Sequence, residues 1–116
     1  MMLDWNDYQK QLAASIAQIG RTNHEITKGY ATLKEAGVKA NVLDAKTREL
    51  IALGVAVTRQ CDGCIVTHTD AAIKAGATRE EIVEALGVAI TVNAGAALIY
   101  SARVMDAFNA KSGGGI

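Results

Sequence analysis

The fold is decided by the stretch from Arg48 to Ile90, RELIALGVAVTRQCDGCIVTHTDAAIKAGATREEIVEALGVAI. Its apolar residues do not alternate with polar ones as they would in a strand. Asp44, just before the stretch, and Thr78, within it, are typical residues for the start of a helix. Glu81 follows Thr78 with the spacing of a capping box. The stretch therefore predicts successive helices separated by short turns.

The rest of the chain extends this pattern to an all-α protein of about six helices. The predicted helices span about residues 4–19, 22–36, 44–59, 62–75, 79–92 and 94–110. Thr22 and Glu25 have the spacing of a second capping box. Asn93 and Gly95 weaken helical continuity and predict a break between the last two helices.

Length and composition exclude several classes of protein. With 116 residues, the chain is predicted to form one domain over residues 1–116. Twelve Lys and Arg residues balance twelve Asp and Glu residues, whereas nucleic-acid binders usually carry a basic excess. The chain contains no proline, and since many all-β folds use proline in turns and at edges, a helical fold is favoured.

The distribution of apolar residues predicts a cytoplasmic protein without a membrane span. Residues 1–10 contain charged side chains and lack the apolar core of a signal peptide. The longest apolar stretch, residues 82–100, is interrupted by Glu84, Thr91 and Asn93. In the cytoplasm, two neighbouring cysteines indicate redox or metal chemistry rather than a structural disulfide.

The amount of apolar sequence predicts a homo-oligomer. Half of the residues are hydrophobic, yet a domain of this size buries only a modest fraction of its surface. Residues 50–57 are apolar on every side of a helix, which is typical of a helix that is buried all round. We expect that segment at the centre of the domain or in a subunit interface.

The chemistry of the chain is concentrated in Cys61, Cys64 and His68. At about 100° per residue these three side chains share one face of a helix within two turns. A thiol near a helix N-terminus is favoured as thiolate, and a neighbouring base increases the thiolate fraction. The two thiols can also close into a disulfide and be reset by a reductant.

Glu49 is the fourth candidate residue. If helices three and four form an antiparallel hairpin that turns near Arg59 and Gln60, Glu49 lies about as far before the turn as His68 lies after it. The carboxylate would then orient the imidazole and stabilise its charged form, while the imidazole passes protons to and from a sulfur.

Simpler interpretations of these residues stay open. A CxxC pair is half of a zinc site, although only His24 and His68 could join it and His24 lies on a distant polar helix. The cysteines could be structural. Glu49 could stabilise its own helix or pair with Lys46 or Arg48. Arg59 could add positive potential near the thiols or be a surface charge.

Taken together, the stretch Arg48–Ile90 resembles the alkylhydroperoxidase D-like (AhpD-like) group of the carboxymuconolactone decarboxylase superfamily. The shared motif is a glutamate, eleven residues, CxxC, and a histidine four residues after the second cysteine. Those positions are occupied here by Glu49, Cys61, Cys64 and His68. The resemblance covers about residues 45–108, and the first forty residues look like generic helix.

The resemblance implies an oligomeric all-helical AhpD-like domain, often a trimer or a hexamer, that reduces peroxides or disulfides. It implies that Cys64 attacks the peroxide, that Cys61 resolves the resulting sulfenic acid, and that Glu49 and His68 relay protons. No metal and no organic cofactor is expected, because two thiols can hold the two electrons. The expected partners are a hydroperoxide and a thiol or lipoyl-type reductant.

Two departures from the family pattern bear on function. The family's best-known peroxidase has a histidine between the cysteines where this chain has Gly63, and that enzyme has two helical halves where this chain has one. Two alternatives to a peroxidase remain: a decarboxylase-like lyase that uses Glu49 and His68, and a redox-sensing oligomer without catalytic activity.

Overall fold

The computed structural model describes residues 1–114, and within that range the chain is entirely helical, with no strand. The five helices are α1 (Trp5–Thr22), α2 (His24–Ala40), α3 (Ala45–Arg59), α4 (Asp62–Lys74) and α5 (Arg79–Lys111). The all-α class predicted from the sequence is confirmed.

The helices pack as a chain of neighbours centred on α3. α3 and α4 form an antiparallel hairpin, α5 packs on α3, and α1 packs on α4, while α2 packs on α1. The turn between α3 and α4 is made by Gln60, whose φ of 52° lies in the left-handed region. The buried core is small and consists of small and medium side chains: Leu53, Ala56, Val66, Ala72 and Ala89.

The start of α3 and the start of α5 are capped as predicted. Asp44 accepts a hydrogen bond from the Thr47 amide at 2.7 Å. At α5 the capping box is complete: the Glu81 amide donates to the Thr78 hydroxyl at 3.1 Å, and the Thr78 amide donates to the Glu81 carboxylate at 2.9 Å.

The predicted capping box at Thr22 is wrong. The Thr22 hydroxyl donates to the Gln18 carbonyl inside α1, and the chain leaves the helix only at Asn23. The Asn23 side chain then accepts from the Glu25 amide at 3.2 Å and so begins α2. α2 also runs further than predicted, to Ala40, because its left-handed C-cap is Asn41, with a φ of 46°.

The break predicted near Asn93 is also wrong, so the described chain has five helices rather than six. α5 continues without interruption through Asn93 and Gly95. The Asn93 amide group donates to the Ala89 carbonyl one turn earlier and to the Thr58 hydroxyl on α3, each at 2.8 Å. A side chain that usually competes with the helix here joins α5 to α3.

The apolar segment 50–57 is buried on only one side within this chain. Leu53 and Ala56 are 3% and 2% exposed, whereas Ile51 and Val55 are more than half exposed. These two residues line a groove of about 500 Å³ between α3 and α5. Of the two places expected for this segment, the centre of the domain is not where the structure puts it, and a subunit interface stays a prediction.

The shape of the chain is open. Its radius of gyration is 19.5 Å, whereas a compact domain of this length has a radius of about 13 Å. Its accessible surface is 9152 Å², whereas a compact monomer of this mass exposes about 6,100 Å². The exposed surface includes large apolar side chains in the second half of α5: Leu98, Ile99, Tyr100, Val104, Met105 and Phe108.

Of the helices in residues 1–114, α5 alone is long and apolar enough to cross a membrane. Length and composition are the only grounds for that statement, and the core helix of a soluble protein passes the same test.

An ion pair joins the first turns of α3 and α5. Lys46 donates to the Glu81 carboxylate at 2.8 Å. This hydrogen bond from Lys46, together with the capping bond from the Thr78 amide, holds the pKa of Glu81 below its ordinary value. The same pair raises the pKa of Lys46. Lys46 is therefore committed to α5, so it does not compete for Glu49.

Candidate functional site

The cysteine pair lies at the N-terminal end of α4. Cys61 is the N-cap residue, with extended backbone angles, and its sulfur accepts a hydrogen bond from the Cys64 amide at 3.2 Å. The two sulfurs are joined in a disulfide, with their Cα atoms 5.2 Å apart. Since the amides of a first turn point toward the N-cap, the reduced Cys61 sulfur would be favoured as a thiolate.

The α3–α4 hairpin brings the carboxylate and the imidazole together. Glu49 Oε2 lies 2.6 Å from His68 Nδ1. Both side chains are about one quarter exposed. The turn at Gln60 lies nearly midway between Glu49 and His68 in the sequence, as predicted for two residues that face each other across an antiparallel hairpin. A carboxylate at Nδ1 favours the tautomer that carries its proton on that nitrogen, and leaves Nε2 free to accept a proton.

The sulfurs and the imidazole open into one cleft of about 470 Å³. α4 supplies the reactive wall and α1 and α2 supply the others. The lining from α4 is Cys61, Gly63, Cys64, Thr67 and His68, and that from α1 and α2 is Leu12, Ile16, Ile19, Ile26, Thr27, Tyr30 and Lys34. Both cysteines are partly exposed. A molecule in the cleft can therefore reach the disulfide, the imidazole and an apolar surface together.

Gly63 is positioned by close packing against α1. A Cβ atom at this position would lie 3.0 Å from Leu12 Cδ2. Such a contact is tighter than ordinary packing, so a histidine here would require Leu12 to move. In this chain α1 occupies the space beside the CxxC turn that a side chain at position 63 would need.

Three residues considered in the sequence analysis lie away from the cleft. Arg59 is exposed and lines the groove between α3 and α5 rather than the cleft that holds the sulfurs. His24 is exposed at the start of α2. Arg48 donates to the Leu43 carbonyl and therefore is not the partner of Glu49.

The walls supplied by α1 and α2 were not predicted as part of the site. The first forty residues look like generic helix in the sequence, yet Leu12, Tyr30 and Lys34 line the cleft. One signal was available: Ile26, Tyr30 and Lys34 recur at intervals of four, which places them on one face of α2. That pattern identifies a face but not the helix that it opposes.

The described residues contain no group of three His, Cys, Asp or Glu side chains placed to hold a metal ion. The cleft is lined by two cysteines and by the imidazole of His68, to which Glu49 is hydrogen-bonded. Such a set can perform thiol–disulfide exchange and proton transfer.

A helical hairpin here joins a glutamate and a histidine beside a CxxC pair. With the all-α fold, this site places the chain in a class of small helical proteins with a cysteine pair. The chain belongs to the carboxymuconolactone decarboxylase family, whose sequence model matches residues 24–107. The family resemblance inferred from the motif is confirmed. The match begins at the first residue of α2, earlier than the core of about residues 45–108 that the motif outlined.

Several relatives resemble the chain over nearly its whole length. An uncharacterized protein of Haemophilus influenzae is 43% identical over 94% of this chain and 96% of its own length. The uncharacterized protein 4 in the cox locus of Paracoccus denitrificans is 33% identical over 80% of this chain and 84% of its own length.

Two solved structures share the fold. A carboxymuconolactone decarboxylase family protein from Legionella pneumophila has a TM-score of 0.73 and 37% identity, covering 90% of this chain and 94% of its own. A protein from Methanobacterium thermoautotrophicum has a TM-score of 0.67 and 27% identity, covering 72% of this chain and 94% of its own.

Proposed function

We propose that the protein is a thiol-dependent hydroperoxide reductase that uses Cys64 and Cys61, with His68 and Glu49 as its proton relay. One observation supports this most: a disulfide-bonded CxxC pair and an imidazole that is hydrogen-bonded to a carboxylate line the same cleft. Membership of a family that includes enzymes is consistent with the proposal.

In the first step the Cys64 thiolate attacks the terminal oxygen of the hydroperoxide. A sulfur–oxygen bond forms and the oxygen–oxygen bond breaks, so that the sulfur is oxidised by two electrons to a sulfenic acid. His68, which follows Cys64 by one helical turn, takes the thiol proton when Cys64 ionises, and Glu49 stabilises the charged ring. The leaving alkoxide accepts that proton from His68 and departs as the alcohol.

In the second step the Cys61 thiolate attacks the oxidised sulfur. A disulfide forms, the sulfur–oxygen bond breaks, and the released hydroxide is protonated to water. The 5.2 Å between the Cα atoms is within the usual range for a disulfide, so resolution requires no rearrangement of the helix start. A thiol or lipoyl-type dithiol reductant then supplies two electrons and two protons to restore both thiols.

The walls of the cleft favour organic hydroperoxides over hydrogen peroxide. Leu12, Ile16, Ile19 and Ile26 present apolar surface next to the reactive wall. Burying an alkyl group there contributes about 0.8 kcal/mol per CH₂, a gain that hydrogen peroxide cannot obtain. We place the activity in the cytoplasm, where thiol reductants keep such a pair cycling.

The proposal is tested by following hydroperoxide loss with reduced protein, cumene hydroperoxide and excess dithiol. We expect continuous consumption with the dithiol and a single turnover without it. A protein that consumes no hydroperoxide under either condition would refute the proposed activity.

We further propose that the working form is a homo-oligomer in which the second half of α5 is covered by another copy of the chain. The accessible surface exceeds that of a compact monomer by about 3,000 Å², whereas a standard interface buries about 800 Å² per partner. Leu98 and Ile99 are about three quarters exposed, and together with Phe108 they form an apolar surface that no other helix of residues 1–114 covers.

Replacing Leu98 with lysine is expected to reduce the oligomer to smaller species, because a charge would be desolvated in the interface. Light scattering coupled to size-exclusion chromatography measures the mass. Glu84→Lys, an exposed change in the first half of the same helix, serves as the control and should leave the mass unchanged. A monomeric wild-type protein, or a Leu98→Lys variant of unchanged mass, would contradict this interface.

A further inference from the structure

Lys34 is a charged residue of the cleft that the proposed mechanism does not use. It lies on α2 and lines the same cleft of about 470 Å³ as the two cysteines. The ion pairs of the described residues do not include Lys34, so its charge is not committed to a carboxylate. A positive charge in a cleft that also holds two cysteines can act on the ionisation of their thiols.

The register of the α1–α2 hairpin places Lys34 at the level of the CxxC turn. A Cβ atom at Gly20 would lie 3.0 Å from the Thr27 hydroxyl oxygen. Gly20 on α1 and Thr27 on α2 therefore face each other across the turn at Asn23. Continuing that register along two antiparallel helices brings Lys34 level with Ala13, the residue after Leu12. Leu12 in turn packs against Gly63, between the two cysteines. The backbone of Lys34 is therefore near the end of the cleft that holds the CxxC turn.

The other charged and titratable groups around the sulfurs leave this positive charge without a neutralising partner in the cleft. Glu49 on α3 is bound to His68 on α4. Asp62 on α4 is exposed, and α2 adds the phenol of Tyr30. The lining from α1 is apolar.

We infer that Lys34 is a positioning residue that stabilises the thiolate of Cys64 across the cleft and so increases the fraction of reactive sulfur. An opposite charge nearby favours the ionised form of a thiol. The long flexible side chain of lysine can hold its charge near the sulfur without a fixed hydrogen bond. The inference rests on the proposed function only for the role of Cys64 as the attacking sulfur.

The experiment uses the Cys61→Ser variant, in which Cys64 is the only thiol, and measures its alkylation rate by iodoacetamide between pH 4 and pH 10. We expect Lys34→Met in this background to raise the pKa of Cys64 and to slow alkylation about three-fold below that pKa. Lys34→Arg should restore the original curve. Lys28→Met, an exposed change on α2 outside the cleft lining, is the matched control and should leave the curve unchanged.

Raising the ionic strength should shrink the difference between Lys34→Met and its parent, because salt screens charges across an open cleft. Identical curves for Lys34→Met and Lys28→Met would overturn the inference. A slow Lys34→Met variant that arginine does not restore, or whose defect is insensitive to salt, would also overturn it, since that result indicates packing rather than charge. The titration involves no peroxide, so its outcome is independent of whether the protein reduces hydroperoxides.

Discussion

Replacing Cys64 with serine is expected to reduce hydroperoxide consumption by about 1,000-fold or more, since the thiolate that attacks the oxygen–oxygen bond is removed. The change is small in volume and lies at a partly exposed position in the first turn of α4, so the helix should persist. Circular dichroism of the variant checks that persistence. Loss of hydroperoxide in the presence of excess dithiol measures the activity.

Cys61→Ser is the matched variant and should behave differently. The serine hydroxyl can still accept the Cys64 amide at the helix start, but it cannot close a disulfide. We expect one turnover and then a stalled enzyme with a sulfenic acid on Cys64, which mass spectrometry after trapping with a dione reagent detects. A Cys64→Ser variant that retains full turnover would contradict the mechanism. A sulfenic acid trapped on Cys61 in that variant would reverse the two roles.

Replacing His68 with asparagine is expected to lower kcat about 100-fold, because the leaving alkoxide and hydroxide lose their positioned proton donor. Glu49→Gln should cause a smaller loss, since the ring remains but is no longer held in one tautomer by a carboxylate at 2.6 Å. The measurement is the steady-state rate with cumene hydroperoxide at saturating dithiol, with kcat and KM determined separately.

His24→Asn is the control for the His68 variant. His24 is the other histidine of the chain and lies exposed at the start of α2, outside the cleft lining. It should leave both kcat and KM unchanged. Equal losses in the His24 and His68 variants would indicate a general effect on the protein. An unaffected His68→Asn variant would remove the proton relay from the mechanism.

Helix starts were largely predictable from the sequence, because they depend on local hydrogen bonds. Asp44 and Thr78 cap α3 and α5 as their residue types predict. The error at Asn93 has a tertiary cause, since the side chain finds a partner in Thr58 on another helix. The local preference of asparagine can be predicted from the sequence, but a hydrogen bond between residues 35 positions apart cannot.

In the candidate site, too, local contacts were predictable from the sequence and contacts between distant helices were not. The contact between Glu49 and His68 was predictable, because one short hairpin joins the two residues and fixes their register. The contributions of Leu12 and Lys34 to the cleft were not predictable from the sequence. They depend on how α1 packs on α4 and how α2 packs on α1, which are contacts between distant parts of the chain. No local pattern in α1 specifies that docking.

The reaction stoichiometry of the reduced wild-type protein tests the central proposal most directly. One equivalent of cumene hydroperoxide per chain is added without reductant, and free thiols, product alcohol and the linkage between Cys61 and Cys64 are measured together. The proposal predicts that one alcohol forms while both thiols disappear into one disulfide within the chain. Hydroperoxide that stays intact, or alcohol that forms while both thiols remain free, would contradict it.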